Sequence, residues 1–172
     1  MKQTELQNPL LSKWAGALEL PPFEAIKPDY FRPAFDRALA DHRIEIDAIA
    51  ENPASSDFEN TIAALERSGR TLERVASVFF VLAGADTSDE IEAIERDISP
   101  LLARHNNALY LNRALYSRIA DLYDRRDELS LDAEQARVLE RYHTRFVRAG
   151  AGDAHRAPHH DAGVRRARAA SG

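Results

Sequence analysis

The hydrophobic positions along the chain fall into helical stripes. In "DYFRPAFDRALADHRIEIDAIAE" the apolar residues Phe31, Ala34, Phe35, Ala38, Leu39, Ile46 and Ile49 recur at intervals dominated by three and four, the spacing that gathers side chains on one face of an α-helix. Pro33 stands near the start, where a missing N–H is tolerated, and "ENPAS" ends the segment. A second stripe runs through Phe58, Ile62, Leu65, Leu72, Val75, Phe79 and Leu82. Ser56 and Glu59 predict a capping box at its start, the serine hydroxyl taking a backbone N–H and the glutamate reaching back. Gly69 predicts either a division into two helices or a weak point in one. Thr87 and Glu90 predict another capping box ahead of Ile91, Ile94, Ile98, Leu101 and Leu102, with a kink at Pro100.

Two further stripes follow. Asn112 opens one with Leu115, Ile119, Leu122 and Tyr123; Ser130 or Asp132 opens "AEQARVLERYHTRFVRA", which Gly150 ends. No segment alternates convincingly with a period of two, and no Asn-Gly or Asp-Gly hairpin signal occurs. The pattern therefore predicts an all-α fold, an antiparallel bundle of about five to six amphipathic helices. It divides the chain into an irregular lead-in at 1–28, punctuated by Pro9, Pro21, Pro22 and Pro28, a helical domain at 29–151, and a tail at 152–172.

The tail differs in kind. It holds three of the six histidines and three of the seven glycines, yet no Leu, Ile, Phe, Tyr, Trp or Met. Residues 1–151 carry a net charge of −7, whereas 152–172 carry +2. Such a composition cannot bury enough apolar surface to order itself, so the tail reads as disordered. The acidic body argues against nucleic acid as a partner. With no cysteine in the chain, disulfides and thiolate sites are excluded, and a reducing cytoplasm fits. No apolar run approaches the roughly 20 residues of a membrane span, and the first residues show no secretory pattern, so the reading is cytoplasmic, without a membrane partner.

Candidate chemistry is sparse. His42, His105 and His143 each fall on or beside an apolar stripe. Imidazole titrates near neutrality and can serve catalysis, but none has a second ligand type at metal spacing on its own helix, so each reads as a partly buried histidine with one partner. Most of the acids have a basic neighbour three or four away, such as Glu92 with Arg96 or Asp121 with Arg125, which describes a solvated helix face. Tyr110, Tyr116, Tyr123 and Tyr142 read as packing residues, because basic residues do not interleave them as in a nucleic-acid platform. His155 and His159 have the i, i+4 spacing of a helical zinc site. However, Arg156 stands where a His-Glu-x-x-His site needs its glutamate, and Pro158 breaks the helix that would align the ligands. No catalytic, cofactor-binding or metal-binding residue is assigned.

Three blocks carry a resemblance. "FEAIKPDYFRPAFDRALADHRIEIDAIAENP", "FENTIAALERSGRTLERVASVFFVLAGADTSDEIEAIERDISPLLARH" and "LDAEQARVLERYHTRFVRAGA" resemble, in order, the N-terminal helical region of the thimet-oligopeptidase family, closest to its bacterial oligopeptidase A and peptidyl-dipeptidase branch. The resemblance covers about residues 8–151 and implies a large, nearly all-helical zinc metallopeptidase that cuts short peptides. Its N-terminal helices form part of a channel wall, and its His-Glu-x-x-His helix lies far beyond residue 172. That motif is absent from this chain, so no zinc ligand or general base carries over.

The resemblance stops near Ala151, and the tail's residue types match GC-rich codons read out of frame. The expectation is a non-catalytic N-terminal fragment, inactive alone, whose tail is frameshifted. Zinc and short peptides belong to the parent enzyme. The alternative is a stand-alone helical protein-interaction module. Under either reading, apolar helix faces left uncovered predict self-association.

Overall fold

In the computed structural model, residues 8–12, 14, 20–85 and 88–152 are described. Their regular elements are all helical, with no strand among the described residues. Two single 3₁₀ turns, Phe23–Ala25 and Pro28–Tyr30, lead into α1, Phe31–Ala50. A π turn at Phe58–Ala63 runs into the short α2, Ala64–Arg67. There follow α3 (Arg70–Ala85), α4 (Asp89–Tyr110), α5 (Arg113–Asp124) and α6 (Ala133–Ala149). The seven apolar positions that define the first stripe are the seven buried residues of α1.

These helices enclose two apolar cores. The first gathers Leu10, Phe31, Phe35, Val75, Phe79, Ile91 and Ile98 from the lead-in, the first half of α1, α3 and α4. Phe79 stands edge-on to Phe31 and Phe35, ring centroids 5.0 and 5.7 Å apart, the arrangement that sets a positive ring edge against a negative face. The second core gathers Ile46, Ile49, Ile62, Leu65, Leu115, Ile119, Leu139 and Phe146 from the second half of α1, the π turn, α2, α5 and α6. Helix α1 is thus shared, its first turns serving one core and its last turns the other.

The starts and stops follow backbone chemistry, with two departures from the expected caps. The box before the π turn is set by Asp57, not Ser56: Asp57 Oδ1 accepts the Asn60 N–H at 2.6 Å, and Asn60 Oδ1 accepts the Asp57 N–H at 3.0 Å. A carboxylate is the stronger acceptor for orphan N–H groups at a helix start. Ser56 is left to donate its hydroxyl to Asp121 of α5. Before α4 the cap is Ser88, whose Oγ accepts the Ile91 N–H at 3.3 Å; Thr87 lies outside the described residues. Asn112 and Asp132 cap α5 and α6 through the Leu115 and Gln135 N–H groups. Gly150, at φ +92°, closes α6, and the Ala151 N–H returns to the Phe146 carbonyl at 3.1 Å, a left-handed stop that suits glycine. Helix α4 runs through Pro100 as one element. That proline is exposed, so water can take the carbonyl it leaves unpaired.

Candidate functional site

Between the two cores lies a layer of polar side chains. His42 sits in α1 between Ala38 of the first core and Ile46 of the second. Its Nδ1 is 2.9 Å from His105 Nε2 of α4, and its Nε2 is 3.2 Å from Ser68 Oγ. The Ser68 hydroxyl proton is committed to the Leu65 carbonyl at 2.7 Å, so Ser68 can only accept from His42. This settles the direction of the relay: His105 Nε2–H donates to His42 Nδ1, His42 Nε2–H donates to Ser68 Oγ, and Ser68 donates to Leu65 O. Both imidazoles are held below their ordinary value of 6.5. Burial is the main cause for each; the neighbouring His42 and Arg43 add to it for His105, while Glu45 opposes it for His42.

The turn between α2 and α3 is built around this layer. Gly69 has φ +71°, and a Cβ there would meet the His42 ring at 2.8–3.0 Å. Its N–H donates to Glu45 Oε2 at 2.6 Å. A small cavity of about 310 Å³ adjoins the layer, lined by His42, Ser68, Glu66, Asn106, Tyr110 and Tyr142 among others. Tyr142 donates to Glu66 Oε1 at 2.5 Å, and burial first, then this bond, pushes its phenol far above the usual range.

The other sequence candidates are dispersed. His143 does not join the pair: it stacks flat on Tyr123, ring centroids 3.9 Å apart, with Tyr116 at 5.9 Å. Burial lowers its pKa as well. The expected ion pairs form on exposed faces, Arg96 with Glu92 at 3.7 Å and Arg125 with Asp121 at 2.6 Å. The hydrogen bond from Arg125 is the main reason the Asp121 carboxyl lies below its usual value. Helix α5 also clamps the α1–π-turn connection: Arg118 donates to Asn52 O, Ala54 O and Asn60 Oδ1 at 2.7–2.9 Å. His155, His159 and the rest of 153–172 lie outside the described residues.

The sequence reading treated His42 and His105 as separate residues with one partner each. Their union depends on helices 63 residues apart in sequence, and nothing in local spacing announces it. A weaker signal was present in Gly69, a conformationally permissive residue at the foot of the pair.

The arrangement does not fit zinc. Each nitrogen of His42 is engaged in the relay, and among the described residues no group of three or more His, Cys, Asp or Glu side chains is placed to hold a metal ion. Structural and catalytic zinc sites both need at least three protein ligands. What the layer can do is hold three elements together and respond to protons.

No protein-family model matches the chain. Among curated proteins, it is 44% identical over 144 residues to the dipeptidyl carboxypeptidase of Salmonella typhimurium and, to the same extent, to that of Escherichia coli. Each match covers 84% of this chain and 21% of the relative. The Salmonella typhimurium oligopeptidase A is 29% identical over 147 residues, 86% of this chain and 21% of the relative. These relatives are members of the thimet-oligopeptidase family. The chain spans about a fifth of their length, and the matched stretch is long enough to hold nearly every described helix. This homology and the helical bundle agree with the resemblance carried by the three sequence blocks. Among the described residues no helix is long and apolar enough to cross a membrane.

Proposed function

We propose that this chain corresponds to a helical, non-catalytic segment of a zinc-dependent oligopeptidase or peptidyl-dipeptidase, contributing to the wall of the channel in which short peptides are cut. The observation that carries this reading is the 44% identity to dipeptidyl carboxypeptidase over 144 residues. Identity at that level over 144 residues supports a shared helical framework. The zinc chemistry belongs to the parent enzyme: a His-Glu-x-x-His helix would hold the metal and its glutamate would activate water, and that motif is absent from these 172 residues. A cytoplasmic setting suits a chain without cysteine. Residues 29–151 form the segment's working unit in this reading, with zinc absent from it and no nucleic acid or membrane among its partners.

Incubating the purified chain with zinc and a quenched short peptide tests the reading. The expected outcome is no turnover above buffer. Turnover that a chelator abolishes would overturn it.

One observation favours a second reading, a helical interaction module. Phe80 and Val81, neighbours on α3, are 44% and 60% exposed, an unusual place for two large apolar residues in succession. In both readings this face has a partner that the isolated chain lacks.

A further inference from the structure

The polar layer between the cores has a property that an apolar junction would lack. Its hydrogen bonds require a specific protonation state. His42 uses Nδ1 as the acceptor for His105 and Nε2–H as the donor to Ser68. One added proton can rest on the outer nitrogen of His105 with this geometry intact. A second can go only to His42 Nδ1, where it sets two N–H groups against each other across 2.9 Å.

We propose that the His42–His105 pair is an acid-operated joint: doubly protonating it breaks the polar contacts that tie the His105 turn of α4 and the α2–α3 turn to the middle of α1, while each of the two cores stays packed. Helix α1, α4 and the α2–α3 turn meet at this point through side-chain hydrogen bonds. Their charged and titratable surroundings are few. Helix α1 supplies Glu45, which favours a proton on His42, and Arg43, which opposes one on His105. The turn supplies only Ser68 and the N–H of Gly69. Helix α2 brings Glu66, already engaged by Tyr142 of α6, and α4 brings Asn106 and Tyr110. Glu45 accepts the Gly69 N–H on one oxygen and keeps its charge, which opposes the effect of burial on His42 without outweighing it.

The sign follows from linkage. Both folded imidazoles lie below 6.5, so the opened state binds more protons than the closed one as pH falls through that value. Stability of the joint is therefore complete above about pH 6.5–7 and is lost as pH falls toward and through the folded pKa values. Each unit of depression is a tenfold change in the closed-to-open ratio. Opening would widen the cavity of about 310 Å³ beside His42 and expose its polar lining.

Amide hydrogen exchange of the 172-residue chain, expressed as protection factors between pH 7.5 and 5.0, tests the joint. Gly69 N–H, held by Glu45, reports on the joint; Phe79 and Ile119 report on the two cores. The expected result is a fall of tenfold or more in Gly69 protection with little change at Phe79 and Ile119. The double variant His42→Gln, His105→Gln, which keeps donors and acceptors but cannot titrate, is expected to flatten that dependence. Unchanged Gly69 protection, a simultaneous loss at all three amides, or the same pH dependence in the double variant would each overturn the proposal. Should the double variant not fold, imidazole NMR titration of the wild-type chain decides: both rings titrating below 6.5 supports the joint, and either ring at or above 6.5 contradicts it.

Discussion

At the scale of single residues, Gly69 concentrates more constraint than any charged group. It combines a left-handed backbone with a close approach to the His42 ring and a hydrogen bond to Glu45. Gly69→Ala therefore suffers twice, from φ and from contact, and is expected to lose about 1–3 kcal/mol. Gly84, a helical glycine with nothing within 4 Å of where its Cβ would be, is the matching control: Gly84→Ala is expected to be neutral or to gain up to about 1 kcal/mol. Urea unfolding of both variants measures the contrast, and equal effects would contradict it. The sequence marked Gly69 as a break without revealing what the break accommodates. The histidine that crowds it comes 27 positions earlier, and such meetings are set by packing, not by local pattern.

At the scale of elements, the periodic signal was strong where one face is buried. The stripe of α1 names its buried residues one for one, because a helix two apolar cores deep leaves no ambiguity about its inner face. Caps were harder to place. Ser56, Asp57 and Asn60 are all competent capping residues, and the choice among them was made by α5, whose Asp121 takes the Ser56 hydroxyl and whose Arg118 holds Asn60 Oδ1. The consequence is a difference between neighbours. Asp57→Ala is expected to cost about 1 kcal/mol through the lost cap. Ser56→Ala removes an exposed contact and is expected to cost less than about 0.5 kcal/mol. Thermal or urea unfolding compares the two, and a larger loss at Ser56 would restore the serine as the cap. The π turn that follows had no signature in the hydrophobic period, since its residues Phe58 and Ile62 satisfy an α-helical spacing equally well.

At the scale of the whole molecule, two apolar cores are joined through a shared helix and a polar layer. Phe80 and Val81 are exposed neighbours on α3, and exposed apolar surface of this kind favours association. Sedimentation velocity over a hundredfold concentration range is expected to show growing oligomers. Replacing both residues with Ser is expected to suppress them, and a monomer throughout would leave that face without a role. Fold class and family were legible in the sequence because both rest on long stretches of pattern. The histidine joint was not, because it is made by two side chains that only the assembled bundle brings together.

The proposed function makes these helices the counterpart of a segment in a peptide-cutting enzyme. A chimera tests it most directly: the matching residues of the Escherichia coli dipeptidyl carboxypeptidase replaced by those of this chain, over the 144 residues at which the two are 44% identical. The account predicts a folded, zinc-dependent enzyme whose kcat/KM for short peptides stays within about tenfold of the parent, a change of about 1.4 kcal/mol or less in transition-state binding. A chimera that folds and binds zinc yet hydrolyses no peptide would contradict it.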